Sequence, residues 1–152
     1  MITLVSGQWF ACGVKNQPQP PQDVRPEKVT DMSATSVPDG VRLAWTRPDR
    51  YTGGKRMRDL ALFVVSRAEG SSDFSPLARI PVTDREKFQR QRRVTYVDNT
   101  AEMGKYYRYI VVSGTDDSYE SEPSNEATIT RSEPSPTPNP ENFALPTPTM
   151  VP

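Results

Sequence analysis

The chain has 152 residues, in which 19 Lys and Arg residues balance 19 Asp and Glu residues, and it has no histidine. A net charge of zero gives no reason to expect nucleic acid as a partner. Without histidine the chain cannot build a Ser-His-Asp or Cys-His nucleophile or a His-ligated metal site. Its single cysteine excludes an intramolecular disulfide and a cysteine-rich zinc cluster. We therefore expect no catalysis, no cofactor and no bound metal.

Residues 1–12 form a short, mildly apolar segment that ends in the only cysteine. No apolar run approaches the roughly 20 residues that a membrane-spanning helix needs. The sequence Ala11-Cys12-Gly13 resembles the start of bacterial lipoproteins, in which a small residue precedes a cysteine that receives lipid. The resemblance implies a partial signal segment that starts upstream of Met1, lipidation at Cys12 and, because Gly13 follows the cysteine, delivery to the outer membrane. The alternative is a free cysteine in an unstructured N-terminus.

Prolines indicate where the folded domain begins and ends. Of the 16 prolines, four lie at 18–26, seven at 134–152 and only five at 27–131. A Pro-rich segment without periodic apolar positions cannot bury enough surface to offset its ordering entropy. We therefore expect one domain at 27–131, a disordered Pro-rich tail at 132–152 and a Pro-rich linker at 13–26. At roughly 3.1 Å per residue, this linker would span up to about 40 Å.

Within the domain, apolar residues alternate with polar ones over short runs separated by turn residues, which is typical of half-buried β-strands. The strands are predicted, in chain order, around 29–34, 41–45, 60–67, 74–82, 94–97, 107–111 and 127–129. Pro76 and Pro81 favour an edge position for the fourth strand, because proline cannot donate to a ladder. Seven short antiparallel strands predict an all-β sandwich.

The strand region resembles a fibronectin type III module over residues 27–131. The resemblance rests on Val41-Arg-Leu43-Ala-Trp45-Thr-Arg-Pro48, on Leu60-Ala-Leu-Phe63-Val-Val65, on Gly104-Lys-Tyr-Tyr107-Arg-Tyr109-Ile-Val111 and on Glu122-Pro123-Ser124-Asn125. It implies a seven-stranded immunoglobulin-like β-sandwich. Trp45 would be the buried tryptophan of the second strand, and Tyr107 the corner tyrosine whose hydroxyl caps backbone near the turn between the fifth and sixth strands. The expected core also includes Phe63, Val65, Tyr109 and Val111.

Charged residues cluster in three predicted loops, which emerge at one end of a sandwich with this strand order. The basic loops contain Lys55, Arg56 and Arg58 after the second strand, and Arg85, Lys87, Arg90, Arg92 and Arg93 after the fourth. The acidic loop after the sixth strand contains Asp116, Asp117, Glu120 and Glu122. A tether at Cys12 would hold this end toward the membrane, where basic loops could meet anionic headgroups. Alternatively, the loops only neutralise one another through exposed ion pairs worth about 0–1 kcal/mol each.

The sequence thus predicts a non-enzymatic envelope lipoprotein on the periplasmic side of the bacterial outer membrane. Its single module would bind or scaffold a protein partner whose identity the sequence leaves open. One alternative is a non-lipidated accessory or spacer module of a larger assembly. Another is a carbohydrate-binding module, for which Tyr51, Phe74, Tyr106 and Tyr119 are the candidate platform. The acidic loop lacks the Asp-x-Asp-x-Asp-Gly pattern of a calcium loop.

Overall fold

The computed structural model describes residues 24–83, 86 and 93–134 of the chain. Seven strands lie within these residues: β1 Ser33–Val37, β2 Gly40–Thr46, β3 Leu60–Glu69, β4 Ser75–Pro81, β5 Arg93–Asp98, β6 Tyr106–Thr115 and β7 Ala127–Thr130. They pair as two antiparallel sheets, a three-stranded sheet in the order β1-β2-β5 and a four-stranded sheet in the order β4-β3-β6-β7. The predicted seven-stranded β-sandwich is therefore confirmed. The predictions for the signal-like segment at 1–12, for linker residues 13–23 and for tail residues 135–152 lie outside the described residues.

The core forms where the inward faces of the two sheets meet. On β2, Val41, Leu43 and Trp45 are fully buried, while Arg42, between Val41 and Leu43, is exposed. This alternation follows from the pleat of a strand, which sends successive side chains to opposite faces. Trp45 on the three-stranded sheet meets Phe63 on the four-stranded sheet edge to face, with ring centroids 5.4 Å apart. The indole and the phenyl ring thereby join the two sheets at the centre of the core.

The segment before β1 enters the core without being part of a ladder. Val29 and Met32 are both buried, yet the first strand begins only at Ser33. The side chain of Asn125 holds this segment instead: its Oδ1 accepts from the Met32 N–H at 2.9 Å, and its Nδ2 donates to the Met32 carbonyl at 2.9 Å. The predicted first strand therefore starts later than its apolar residues indicate, because an amide side chain satisfies the backbone there.

The fourth strand lies at an edge of the four-stranded sheet, where its two prolines predict it. Phe74, which the sequence places at the start of this strand, instead precedes it, since β4 begins at Ser75. Its ring is half-buried under the Arg108 guanidinium, which lies 4.8 Å from the ring centroid. Phe74 thus packs against Arg108, on the outer face of β6, and its side chain is not part of the buried core.

Gly40 allows the turn between β1 and β2 to lie against the end of β5. Its φ of 152° is unfavourable for a residue with a side chain. A Cβ at this position would lie 2.1 Å from the carbonyl oxygen of Asp98. Only the absence of a side chain lets these two backbones approach so closely.

We expect Gly40→Ala to destabilise the domain by about 2 kcal/mol, because the turn would have to move away from Asp98 and alanine disfavours this φ. Urea denaturation followed by circular dichroism measures the change. Gly54→Ala is the matched control, since Gly54 also has a positive φ of 81° but nothing lies within 4 Å of its added Cβ; its cost should be about 1 kcal/mol. Equal losses in the two variants would contradict the close approach at Gly40.

Candidate functional site

The register of the sheets brings several loops and the N-terminal entry of the domain to one end. Thr46 at the end of β2 pairs with Arg93 at the start of β5. Leu60 at the start of β3 pairs with Thr115 at the end of β6. The incoming chain reaches the same end, because Pro26 forms a bridge with Tyr51 in the loop after β2. We call this the entry end of the sandwich.

The basic loop between β2 and β3 is held to the entry end by backbone hydrogen bonds and one buried side chain. The Tyr51 N–H donates to the Lys55 carbonyl at 2.9 Å, and the Met57 N–H donates to the Asp49 carbonyl at 2.8 Å. Met57 is buried in the core and anchors the loop. Three cationic side chains project to solvent around this anchor: Lys55, Arg56 and Arg58.

The second predicted basic loop is described only in part. Arg85, Lys87, Arg90 and Arg92 lie outside the described residues. Arg93 begins β5, and its guanidinium contacts the Asp31 carboxylate at 3.1 Å. Asp31 in turn accepts a hydrogen bond from the Thr46 hydroxyl at 2.7 Å. Arg93 is therefore part of a polar cluster at the surface of the three-stranded sheet.

The acidic loop after β6 begins with a tight turn at the entry end. The Thr115 N–H donates to the Tyr119 carbonyl at 3.0 Å, and Ser118 adopts a left-handed φ of 66° within the turn. All four acidic side chains of this loop are exposed: Asp116, Asp117, Glu120 and Glu122. The loop contacts the β2–β3 connection directly, because the Asp116 N–H donates to the Asp59 carbonyl at 2.9 Å. The acidic and basic loops thus lie side by side.

Tyr51 closes the β2–β3 connection on itself through its hydroxyl, which donates to the Asp59 carboxylate. Burial, together with this neighbouring carboxylate, raises the pKa of Tyr51 to about 12. The phenol therefore stays protonated at neutral pH and serves as a hydrogen-bond donor. Within the described part of the chain, no three carboxylate or thiol side chains come close enough together to hold a metal ion.

The four aromatic residues considered for carbohydrate binding do not form one platform. Tyr51 is half-buried against the core, and Tyr119 is 37% exposed, both at the entry end. Tyr106 is exposed at the start of β6, which is the opposite end of the sandwich. Phe74 lies under Arg108. A sugar ring could contact only part of this set at one time.

The residues proposed for the core lie between the sheets. All six of them are at most 1% exposed: Trp45, Phe63, Val65, Tyr107, Tyr109 and Val111. The Tyr107 hydroxyl accepts a hydrogen bond from the Glu102 N–H at 2.9 Å, in the turn between β5 and β6. This is the contact that the corner-tyrosine resemblance implies.

A polar cluster around Asp98, which the residue pattern did not predict, joins the two sheets. Asp98 ends β5 and is fully buried, and its carboxylate contacts the Arg67 guanidinium on β3 at 2.8 Å. It also accepts hydrogen bonds from the Tyr109 hydroxyl at 2.9 Å and from the Thr100 hydroxyl at 2.7 Å. The alternation along β5 does indicate the inward position of Asp98, because Val94, Tyr96 and Asp98 share one face of the strand. An aspartate in an inward register needs a charged partner on the facing sheet.

The partners of Asp98 decide its charge state. Burial by itself would raise the pKa of Asp98, but hydrogen bonds from Thr100, Arg67 and Tyr109 outweigh burial and lower it below 3.8. Burial and the nearby Asp98 raise the pKa of Tyr109, so this phenol remains a donor. The guanidinium of Arg67 lies 5.0 Å from the centroid of the Tyr107 ring. The cluster is thus an ion pair whose carboxylate accepts from several donors.

Among residues 24–83, 86 and 93–134, no helix has the length and apolar character to span a membrane.

Comparison with solved structures identifies the fold. The twitchin kinase region of C. elegans matches with a TM-score of 0.50 and 18% identity, over 70% of this chain and 16% of that chain. An Fn3-like protein from Clostridium thermocellum has a TM-score of 0.49 and 18% identity, over 74% of this chain and 97% of that chain. The FN1-FN3 domains of chicken CNTN1 have a TM-score of 0.47 and 13% identity, over 70% of this chain and 33% of that chain. No protein-family model and no curated protein matches the sequence.

The likeness to the twitchin region, which contains Fn31 and Ig26 domains, together with the sheet order, shows a fibronectin type III-like fold for this chain. At 18% identity, the likeness to the twitchin region shows the fold alone. The chain spans only 16% of that twitchin region, so the likeness does not extend to the greater part of it. The fold does not by itself fix a function, because function lies in the loops and surfaces that a fold presents.

Proposed function

We propose that this fibronectin type III-like sandwich is a non-enzymatic module that binds or scaffolds proteins at a bacterial membrane, held there by lipid on Cys12. One observation carries the proposal: the chain enters the sandwich at the end that carries the charged loops. Two hydrogen bonds fix this entry, from the Glu27 N–H to the Arg50 carbonyl at 3.0 Å and from the Thr52 N–H to the Arg25 carbonyl at 2.9 Å. A tether that precedes residue 24 therefore meets the domain at the entry end.

This geometry gives the two ends of the domain different roles. A lipid at Cys12 would direct the entry end toward the bilayer, with the exposed Lys55, Arg56 and Arg58 near the headgroups. Basic side chains are attracted to anionic lipid within about a Debye length of the surface. The outer faces of both sheets and the opposite end would remain accessible to a protein partner. Because Gly13 follows the cysteine, the proposed location is the periplasmic face of the outer membrane.

Changing Cys12 to serine should release the protein from the membrane fraction of an expressing bacterium. Lipid on this cysteine provides lasting anchorage only when it carries more than one acyl chain, because one chain alone binds marginally at about 0.8 kcal/mol per buried methylene. Detergent partitioning and mass spectrometry of the mature N-terminus measure the outcome. The wild type should enter the detergent phase with an acylated N-terminal cysteine, and the variant should not.

Gln17→Ser is the matched control for this experiment, because it changes a polar residue close to Cys12 and leaves the thiol intact. It should partition like the wild type. A Cys12→Ser protein that still fractionates with membranes would exclude lipid on this cysteine as the anchor. A wild-type N-terminus without acyl chains would favour the accessory or spacer module instead.

A further inference from the structure

An aliphatic surface lies at the centre of the outer face of the four-stranded sheet. Leu62 and Val64 on β3 and Ile110 and Val112 on β6 are half-buried, whereas their chain neighbours Phe63, Val65, Tyr109 and Val111 point into the core. Val64 and Val112 pair directly across the two strands. We call these four side chains, Leu62, Val64, Ile110 and Val112, the aliphatic patch.

A glycine extends the patch toward the entry end. Gly114 pairs with Leu62, and a Cβ at Gly114 would lie 3.3 Å from the Leu62 Cδ1 atom. The leucine side chain therefore lies over the glycine. The apolar positions on the two central strands are therefore contiguous, from the Val64–Val112 pair to the Leu62–Gly114 pair, and contiguous apolar surface is a feature of protein contact sites.

Opposite charges flank the patch on its two sides. Arg79 on β4 pairs with Val64 and is exposed, and among the described residues no hydrogen bond or ion pair engages its guanidinium. On the β7 side, Glu126 is 40% exposed and lies 3.4 Å from the Arg108 guanidinium. The face thus carries the Arg79 cation at one edge and, at the other, the Glu126 carboxylate, which already pairs with Arg108.

We propose that the aliphatic patch binds a second copy of this chain, in a dimer whose two-fold axis runs along β3 and β6 between Val64 and Val112. A two-fold contact is self-complementary, so one surface must match itself. Rotation about this axis places β4 of one copy over β7 of the other. Arg79 then approaches Glu126 of the second copy, and the aliphatic side chains of the two copies meet between them.

The strand register supports this pairing of charges. Arg79 lies level with Val64 and Val112, whereas Glu126 precedes Ala127, which pairs with Tyr109. The two charges therefore differ in height by about two residues, or roughly 7 Å along the strands. An extended arginine side chain can cover such a distance. A two-fold axis perpendicular to the strands would instead place Arg79 of one copy over Arg79 of the other. The charge arrangement therefore favours the axis along the strands.

The same axis leaves both entry ends at the same end of the dimer. Two chains tethered through their N-termini could therefore pair while held by one bilayer. The aliphatic patch consists of four half-buried side chains, whereas a standard interface uses about 20–30 residues a side, so we expect weak association in solution. Confinement to a surface would raise the effective concentration and populate the dimer. The dimer itself does not depend on lipid at Cys12.

Sedimentation velocity of the full chain carrying Cys12→Ser tests the dimer apart from the anchor and excludes disulfide-linked pairs. We expect concentration-dependent dimerisation up to about 1 mM, near the weak limit of specific association. Val112→Lys should weaken it at least about tenfold, because a charge would lie in the apolar contact. Arg79→Glu should weaken it about three- to tenfold. Arg42→Glu, the same charge change at an exposed site of the other sheet, should leave it unchanged.

Circular dichroism establishes that each variant is folded before its association is compared. A Cys12→Ser chain that remains monomeric over the whole concentration range would overturn the proposal. Equal weakening by Arg79→Glu and Arg42→Glu would also overturn it. Dimerisation that occurs only after residues 135–152 are removed would assign the patch to the C-terminal segment of the chain and would contradict a second copy as its natural occupant.

Discussion

Replacing Trp45 with alanine is expected to destabilise the domain by about 3–5 kcal/mol, a large part of the stability of a small domain. The indole is fully buried and joins the two sheets through its edge-to-face contact with Phe63. Its removal leaves a cavity that two hydrogen-bonded sheets cannot close by relaxation. Urea denaturation followed by far-ultraviolet circular dichroism measures the change.

Trp45→Phe provides a sharper test of what the indole contributes. The Trp45 Nε1 atom has no hydrogen-bond partner among the described residues. Phenylalanine therefore loses volume but no hydrogen bond, and its cost should be only about 1–3 kcal/mol. The exposed substitution Arg42→Ala should stay within about 0.5 kcal/mol of the wild type. If Trp45→Ala costs no more than Arg42→Ala, the indole does not lie in the core.

Replacing Arg67 with alanine should cost about 2–4 kcal/mol, because it leaves the buried Asp98 carboxylate without its cationic partner. The expected loss of stability is smaller than for a fully buried ion pair. The Arg67 side chain is 25% exposed, so in the alanine variant water can reach the Asp98 carboxylate. Thermal or urea unfolding at neutral pH measures the loss. The double variant Arg67→Met with Asp98→Leu removes both charges and should recover part of the stability. A double variant less stable than Arg67→Ala would contradict this account.

The pH dependence of stability tests the same cluster. The pKa of Asp98 is lowered in the folded state, so its contribution to stability is present above the unfolded value of 3.8. It is lost as the pH falls below that value through the lower folded pKa, because the unfolded chain then binds the additional proton. Asp98→Asn should therefore lose less stability than the wild type on acidification. If both proteins respond equally to acid, Asp98 does not carry a lowered pKa.

Residue pattern alone predicts most of the fold. Alternation identifies β2 and β6 because each strand has one face in the core, and prolines identify β4 as an edge strand because they cannot donate to a ladder. The start of β1 is different. Val29 and Met32 are apolar and inward, but their backbone bonds to Asn125, which lies 93 residues after Met32 in the chain. A contact of such separation leaves no local signal.

The candidate surfaces were predictable to a smaller degree. The charged loops meet at one end because of the strand order, which the fibronectin type III resemblance implies without the tertiary structure. The ion pair of Asp98 with Arg67 does not, because the two residues lie on different sheets and only the register brings them together. The aliphatic patch is similarly hidden, since Val64 and Val112 look like core residues within their apolar strands.

The sequence by itself determined the number and order of the strands, the inward positions of Trp45 and Tyr107, and the lack of any histidine-based chemistry. These properties depend on residue type and on a two-residue period, which are local. Only the tertiary structure decided which polar groups meet between the sheets and which face of β3 and β6 lies outside the core. Those properties depend on how two sheets pack and in what register, and packing is a relation between residues distant in the chain.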